Sequence, residues 1–431
     1  MTKKKQKYIL YMVACLCILV RICFVACSSI LEPGMQNDMG SLNENCFGHL
    51  GYIYYLANGG DIIHNGADIH YQFYHPPLHY MISAMWLKIV MGCGVSLLAA
   101  GESLQILTCI YSMLTLLFVD KLVRLLGGDV RERIAALCLV GFFPYAVFMS
   151  GSINNDSLSL LFMVMTCYGL FRYYEEATMK NALLLGLCFG LAIMSKMSAL
   201  ILGPGIAALL LYQLIKRKKE WKRCIVQYLS LGAVSGILGL WYPVKNYVLY
   251  GMDLLYIPRL ELDSEQYIGH FSRISRLLDF DPGQLASLGI VFNGEKGVLD
   301  HNIFLSLLKY SVFAESEYYL AAEGISRILF WVFGILLAVV TLAAVYAVCR
   351  GNWKTEYKVV IALFYGANMC SYLRFCFTHP HVCTMHVRYI MIAVILTMIG
   401  AAFFEKKQKR VLGLYVTTAL LLLGIFLGNL R

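Results

Sequence analysis

The chain has 431 residues, 59% of them hydrophobic and only 14% charged, with a mean hydropathy of +0.66. That balance excludes an ordinary soluble domain and points to many apolar spans. The formal charge of +10 falls mostly in short runs between apolar stretches, so it is a topology signal and excludes nucleic acid as the partner.

The first apolar run, Tyr8 to Ile30, follows "MTKKKQK". It is long enough to span, and no small-residue cleavage site follows it, so it reads as a retained first helix. Arg21 inside it faces either a partner in the bundle interior or the lipid phosphate region. The next stretch, "GMQNDMGSLNENCFGHLGYIYYLANGG", carries Asp38 and Glu44 just past the membrane boundary. Tyr52, Tyr54 and Tyr55 within it suit an interfacial aromatic belt. Then comes "FYHPPLHY", in which His75 either shapes a loop or caps a helix opened by the prolines.

The apolar run from HPPL is interrupted by Lys88 and by "MGCGV", so we read it as a juxtamembrane or re-entrant helix within a first outer loop over 31–103. The basic clusters Lys3 to Lys7, Lys121 to Arg133, Arg172 to Lys180, Lys216 to Arg223, Arg350 to Lys358 and Lys406 to Arg410 then all share the cytoplasmic side. The expectation is an all-α polytopic membrane protein of about eleven transmembrane helices with a cytoplasmic N-terminus. Outer segments lie near 31–103, 151–157, 196, 244–325 and 375–388. Three regions follow: a transmembrane module over 1–250, an outer loop over 251–325, and C-terminal transmembrane helices over 326–431.

Titratable residues gather on that outer face. "SGSINNDSLSLLF" puts Asp156 on a short turn, where a helix N-cap is the competing role. "LAIMSKMSALIL" puts Lys196 in an apolar hairpin, where it faces a polar cavity or an anion, or else snorkels to the interface. Trp241 and Lys245 of "WYPVKNYVLYG" read as interfacial anchors, with a place at the donor as the alternative for Lys245. Most of the 15 Cys lie in apolar runs, and no Cys/His spacing suits zinc. Carboxylates and a lysine beside a membrane surface suit transfer of a group carried on a lipid phosphate. Cations or a metal ion would stabilise the leaving phosphate, and a carboxylate would take the proton of the incoming hydroxyl.

These motifs, in this order and together with "CTMHVRYIM", resemble the GT-C fold membrane glycosyltransferases of the protein O-mannosyltransferase and lipid A aminoarabinose transferase superfamily. The nearer resemblance is to its bacterial family 39-like, RgtA/B/C/D-like members. It implies a cell-membrane enzyme with its active site on the outer face. Such an enzyme moves a hexosyl or pentosyl group, with inversion, from a polyprenyl-phosphate sugar to a glycan, lipid or protein acceptor. It also implies roles. Asp38 would be the catalytic base or a ligand of a divalent cation (Mg2+ or Mn2+), and Asp156 the second acid of the site or a further metal ligand. Lys196, Arg388 and Tyr389 would hold the donor phosphate, while His75, Glu44 and Glu315 would shape the site. Two departures matter. Protein mannosyltransferases carry adjacent Asp and Glu after the first helix, whereas Asp38 is flanked by Asn37 and Met39. The motif holding Glu315, "SVFAESEYY", has Ala314 where the family has Gly. The rival readings are a secondary transporter, which would place its charges near the bilayer midplane, and a polytopic scaffold without catalysis.

Overall fold

The computed structural model describes residues 3–31, 40, 42, 47–62, 72–258, 260–291, 299–316, 318–404 and 409–429. Among these the chain is an all-α polytopic membrane protein, and the one β contact is an isolated bridge between Tyr267 and His381. Eight helices are long and apolar enough to cross a bilayer. The other expected spans fall on Val130–Gly141 with Pro144–Phe148, on Asn155–Glu175 and on Met179–Ser195. The first and last of these are shorter than the ~20 residues a span needs. Asn155–Glu175 has the length, but it opens on Asn-Asp-Ser and closes on Arg-Tyr-Tyr-Glu. The helix after HPPL, Leu78–Gly92, has 15 residues and is not among the eight.

Two helices set the frame of the bundle. Met179–Ser195 lies along Trp221–Tyr250 so closely that a Cβ on Gly186 would come within 2.7 Å of the Leu231 carbonyl oxygen. Small residues at such a contact let backbones approach in a medium where apolar burial between helices gives little. The Trp221–Tyr250 helix has 30 residues, about 45 Å at 1.5 Å each, so it runs past the start of the expected outer segment at 244 and ends at Gly251. Arg21 is answered by the interior: its guanidinium donates to Ser112 Oγ at 2.8 Å and to the carbonyls of Cys17 and Gly141. Tyr52 does not form an interfacial belt. It is buried, with its ring 4.1 Å from Phe73 and 4.3 Å from Tyr80.

The two ends of the bundle differ in chemistry. Asp156 stands in the first turn of Asn155–Glu175 and Glu175 in its last, roughly 28 Å apart by helical rise. At the Glu175 end, Lys354 and Tyr357 donate to Glu175, while Tyr174, Tyr212 and Lys216 donate to Glu356. Three of the basic clusters therefore meet at one end, and the Asp156 end is the other.

Gly186→Leu should force the two long helices apart and destabilise the fold by about 1–3 kcal/mol. Thermal unfolding in detergent should show a lowered Tm, whereas Gly232→Ala, inside the same long helix with open space around its Cβ position, should leave Tm unchanged or raise it.

Candidate active site

The site is assembled from turns at the Asp156 end. Asn154, not Asp156, caps the helix: its side-chain oxygen accepts from the Asp156 N–H at 3.0 Å. Asn155 Nδ2 donates to the Ser195 carbonyl at 2.9 Å, which ties this turn to the end of Met179–Ser195. The next residue, Lys196, is thus carried opposite Asp156, and its Nζ lies 2.5 Å from Asp156 Oδ1. Both side chains are about nine-tenths buried. A pair so removed from water holds only when both partners are present and well placed.

Tyr389 joins this pair to Arg388. The Lys196 ammonium lies 5.3 Å from the Tyr389 ring centroid and the Arg388 guanidinium 5.1 Å from it, with Arg388 Nη2 donating to the Tyr389 hydroxyl at 3.1 Å. Two cations border one aromatic ring. His386, two residues before Arg388, takes the Arg388 N–H on Nδ1 at 3.1 Å, which leaves Nε2 as the protonated nitrogen of the neutral ring. That Nε2 faces Glu315 at 3.6 Å, and the ring packs 4.0 Å from Tyr310.

Glu315 follows the short helix Ile303–Phe313, which is held from below by a fully buried pair, Lys309 with Asp300 at 2.7 Å. Ala314, at the hinge, has φ 54 and ψ −127. This conformation suits glycine and strains alanine. The Ala-for-Gly departure in the sequence motif therefore keeps the backbone that glycine would have taken.

These groups line one cavity of about 400 Å³ that holds His75, Asp156, Lys196, Glu315, Arg388 and Tyr389. His75 does not cap a helix: Pro77 stands at the start of Leu78–Gly92 with no side-chain cap. Instead the His75 ring packs 4.1 Å from Tyr74 and 6.0 Å from His49. Burial, then the charges of Lys196, His49 and Arg388, push the His75 pKa well below the usual range, so the ring is neutral at pH 7. Residues Met252 to Pro258 close one side of the cavity. Beyond them, the chain is pinned to the segment before Arg388 through the Ile268 N–H to the Pro380 carbonyl at 2.9 Å and the Val382 N–H to the Gln266 carbonyl at 3.0 Å.

Asp38 and Glu44 lie outside the described residues. Lys245 keeps a role apart from the cavity, donating to the Ile62 carbonyl at 3.2 Å beside the rings of Tyr242 and Tyr250. Among the cavity residues that escaped the sequence reading are His49, Gln72 and Asn368, and His386 stands behind the wall against Glu315. Asn368 carried a usable signal, a polar residue inside an apolar span. Among the described residues no group of three or more His, Cys, Asp or Glu could hold a metal ion. With Asp156 engaged by Lys196, the described donor set does not fit a divalent cation.

Ala314→Gly should relieve the hinge and stabilise the protein by about 1 kcal/mol. An unchanged or lower Tm would show that the hinge stores no such strain.

No curated protein matches the chain in sequence. Residues 74–242 match the family model described as dolichyl-phosphate-mannose-protein mannosyltransferase. That span contains His75, Asp156 and Lys196, whereas Asp38, Glu315, Arg388 and Tyr389 lie beyond it. Among solved structures, the S. cerevisiae protein O-mannosyltransferase Pmt1-Pmt2 complex bound to the sugar donor is similar at 15% identity and a TM-score of 0.39. The match covers 65% of this chain and 38% of that one, so the chain spans well under two thirds of that relative. A likeness at that level carries no argument here. The family match stands without it: over residues 74–242 this membrane protein is similar to that family.

Proposed function

We propose that the chain is a membrane glycosyltransferase that moves a sugar from a polyprenyl-phosphate donor to an acceptor hydroxyl. One observation carries the reading. Lys196 and Arg388, separated in sequence by most of the bundle, meet at the Tyr389 ring in a cavity that also holds the carboxylates of Asp156, Asp253 and Glu315. Paired cations at the wall of an apolar bundle suit a phosphate whose lipid tail stays in the membrane. The basic clusters at the opposite end support an outward-facing cavity and a cytoplasmic N-terminus. Charges gathered at one end also disfavour a transporter, whose sites lie near the midplane.

The chemistry follows from this placement. Asp38, from the segment after the first helix, takes the proton of the acceptor hydroxyl as general base. The acceptor oxygen bonds to the anomeric carbon as the bond from that carbon to the phosphate oxygen breaks, with inversion. The departing polyprenyl phosphate is stabilised by Lys196 and Arg388. Asp156 holds Lys196 in place, and His75, Glu44 and Glu315 shape the site. The acceptor is a cell-envelope glycan, lipid or protein, reached past the 251–325 loop. Residues from all three regions, 1–250, 251–325 and 326–431, contribute to the cavity wall.

Asp38→Asn should abolish transfer in a lipid-linked donor assay while membrane insertion stays normal. Wild-type turnover by that variant would remove Asp38 from the mechanism. Lys196→Ala should raise the donor KM by at least roughly tenfold, the worth of one charge-assisted hydrogen bond. An unchanged donor KM would take Lys196 out of phosphate binding.

A further inference from the structure

Two amide side chains in the cavity wall have hydrogen-bonding capacity that the fold leaves unused. Gln72 and Asn368 are each 2% exposed and line the same cavity as Lys196 and Arg388. Among the described residues neither Gln72 Oε1 nor Asn368 Oδ1 has a donor. The Asn368 orientation is fixed by its own network: Nδ2 donates to the Tyr389 carbonyl at 3.0 Å, so the oxygen is the atom left over. A buried acceptor without a donor works against folding and calls for a partner.

Backbone strain marks the same place. Among the described residues only two non-glycine residues have positive φ, Gln72 at φ 80 and Ala314 at φ 54. Gln72 lines the cavity, and Ala314 directly precedes Glu315, which also lines it. Such conformations persist where surrounding structure holds them, and they cluster at ligand sites.

The missing partner must donate. An ammonium group would be repelled by Lys196 and Arg388 and drawn to the carboxylates of Asp253 and Glu315 rather than to an amide oxygen. Hydroxyl groups meet no such opposition, and the rings of Tyr74, His75 and Tyr256 at the same cavity offer flat apolar surface for a sugar ring. We propose that Gln72 and Asn368 form a hydroxyl-recognition subsite that selects a neutral, polyhydroxylated sugar on the donor. The inference rests on the donor reading above and adds two residues that lie outside the family match over 74–242.

The test is equilibrium binding to the full-length protein in detergent. The probes are polyprenyl phosphate linked to mannose, glucose or galactose, with bare polyprenyl phosphate as reference. Wild type should bind at least one sugar-bearing lipid roughly tenfold or more tighter than the bare lipid, the scale of one to two hydrogen bonds. Gln72→Met and Asn368→Leu should each lose most of that preference and keep the bare-lipid affinity within about twofold. If a variant loses bare-lipid binding as well, Gln72→Asn decides. It tolerates a positive φ but falls one methylene short, so it should lose the preference too. Variants that retain the wild-type preference overturn the subsite. Equal wild-type binding of sugar-bearing and bare lipid overturns it while leaving the phosphate site standing. Failure of wild type to bind any polyprenyl phosphate removes the donor reading along with it.

Discussion

The ion pair between Asp156 and Lys196 is the constraint on which the rest of the site depends. Moving a carboxylate and an ammonium out of water costs several kcal/mol per ion, and attraction between them offsets this only in good geometry. The chain secures that geometry with neutral groups. Asn154 takes over helix capping, Asn155 ties the two turns together, and Asp156 is left to face Lys196. Tyr389 then extends the charged surface to Arg388. An ion pair whose cation also borders a second cation is poised to accept an anion, because a phosphate entering the cavity meets positive charge already held in position.

The bundle makes this possible by separating two kinds of polar chemistry along its axis. One end is crosslinked by phenol and ammonium donors on Glu175 and Glu356, at positions drawn from three basic clusters. The other end carries the cavity. Close approach of Met179–Ser195 to Trp221–Tyr250 at Gly186 fixes the helix whose end delivers Lys196. The 252–260 segment and the short helix Ile303–Phe313 bring in the remaining wall, the latter held by the buried Asp300 and Lys309 pair.

Much of this was legible in the sequence, and the reasons are specific. Apolar runs gave the all-α membrane fold, because only helices or closed barrels satisfy their backbone in lipid. Lys196 stood out because an ammonium in an apolar hairpin needs a reason to be there. Asp156 was ambiguous until the structure gave the capping role to its neighbour. Other features depend on partners far along the chain and left no local trace. Tyr52 reads as a belt residue until Phe73 and Tyr80 bury it. His386 was overlooked beside Arg388, since its place depends on Tyr145, Tyr310 and Glu315, all far along the chain. The helices around the site are short or polar at their ends for the same reason that they matter, so length and composition single out eight spans where about eleven were expected.

The most direct measurement of the central claim is product release. Purified protein is supplied with a panel of polyprenyl-phosphate sugars and an extract of cell-envelope acceptors, and free polyprenyl phosphate is quantified over time. The account predicts release from at least one member of the panel, dependent on added acceptor. Absence of release across the whole panel, from protein shown to be folded, would contradict it.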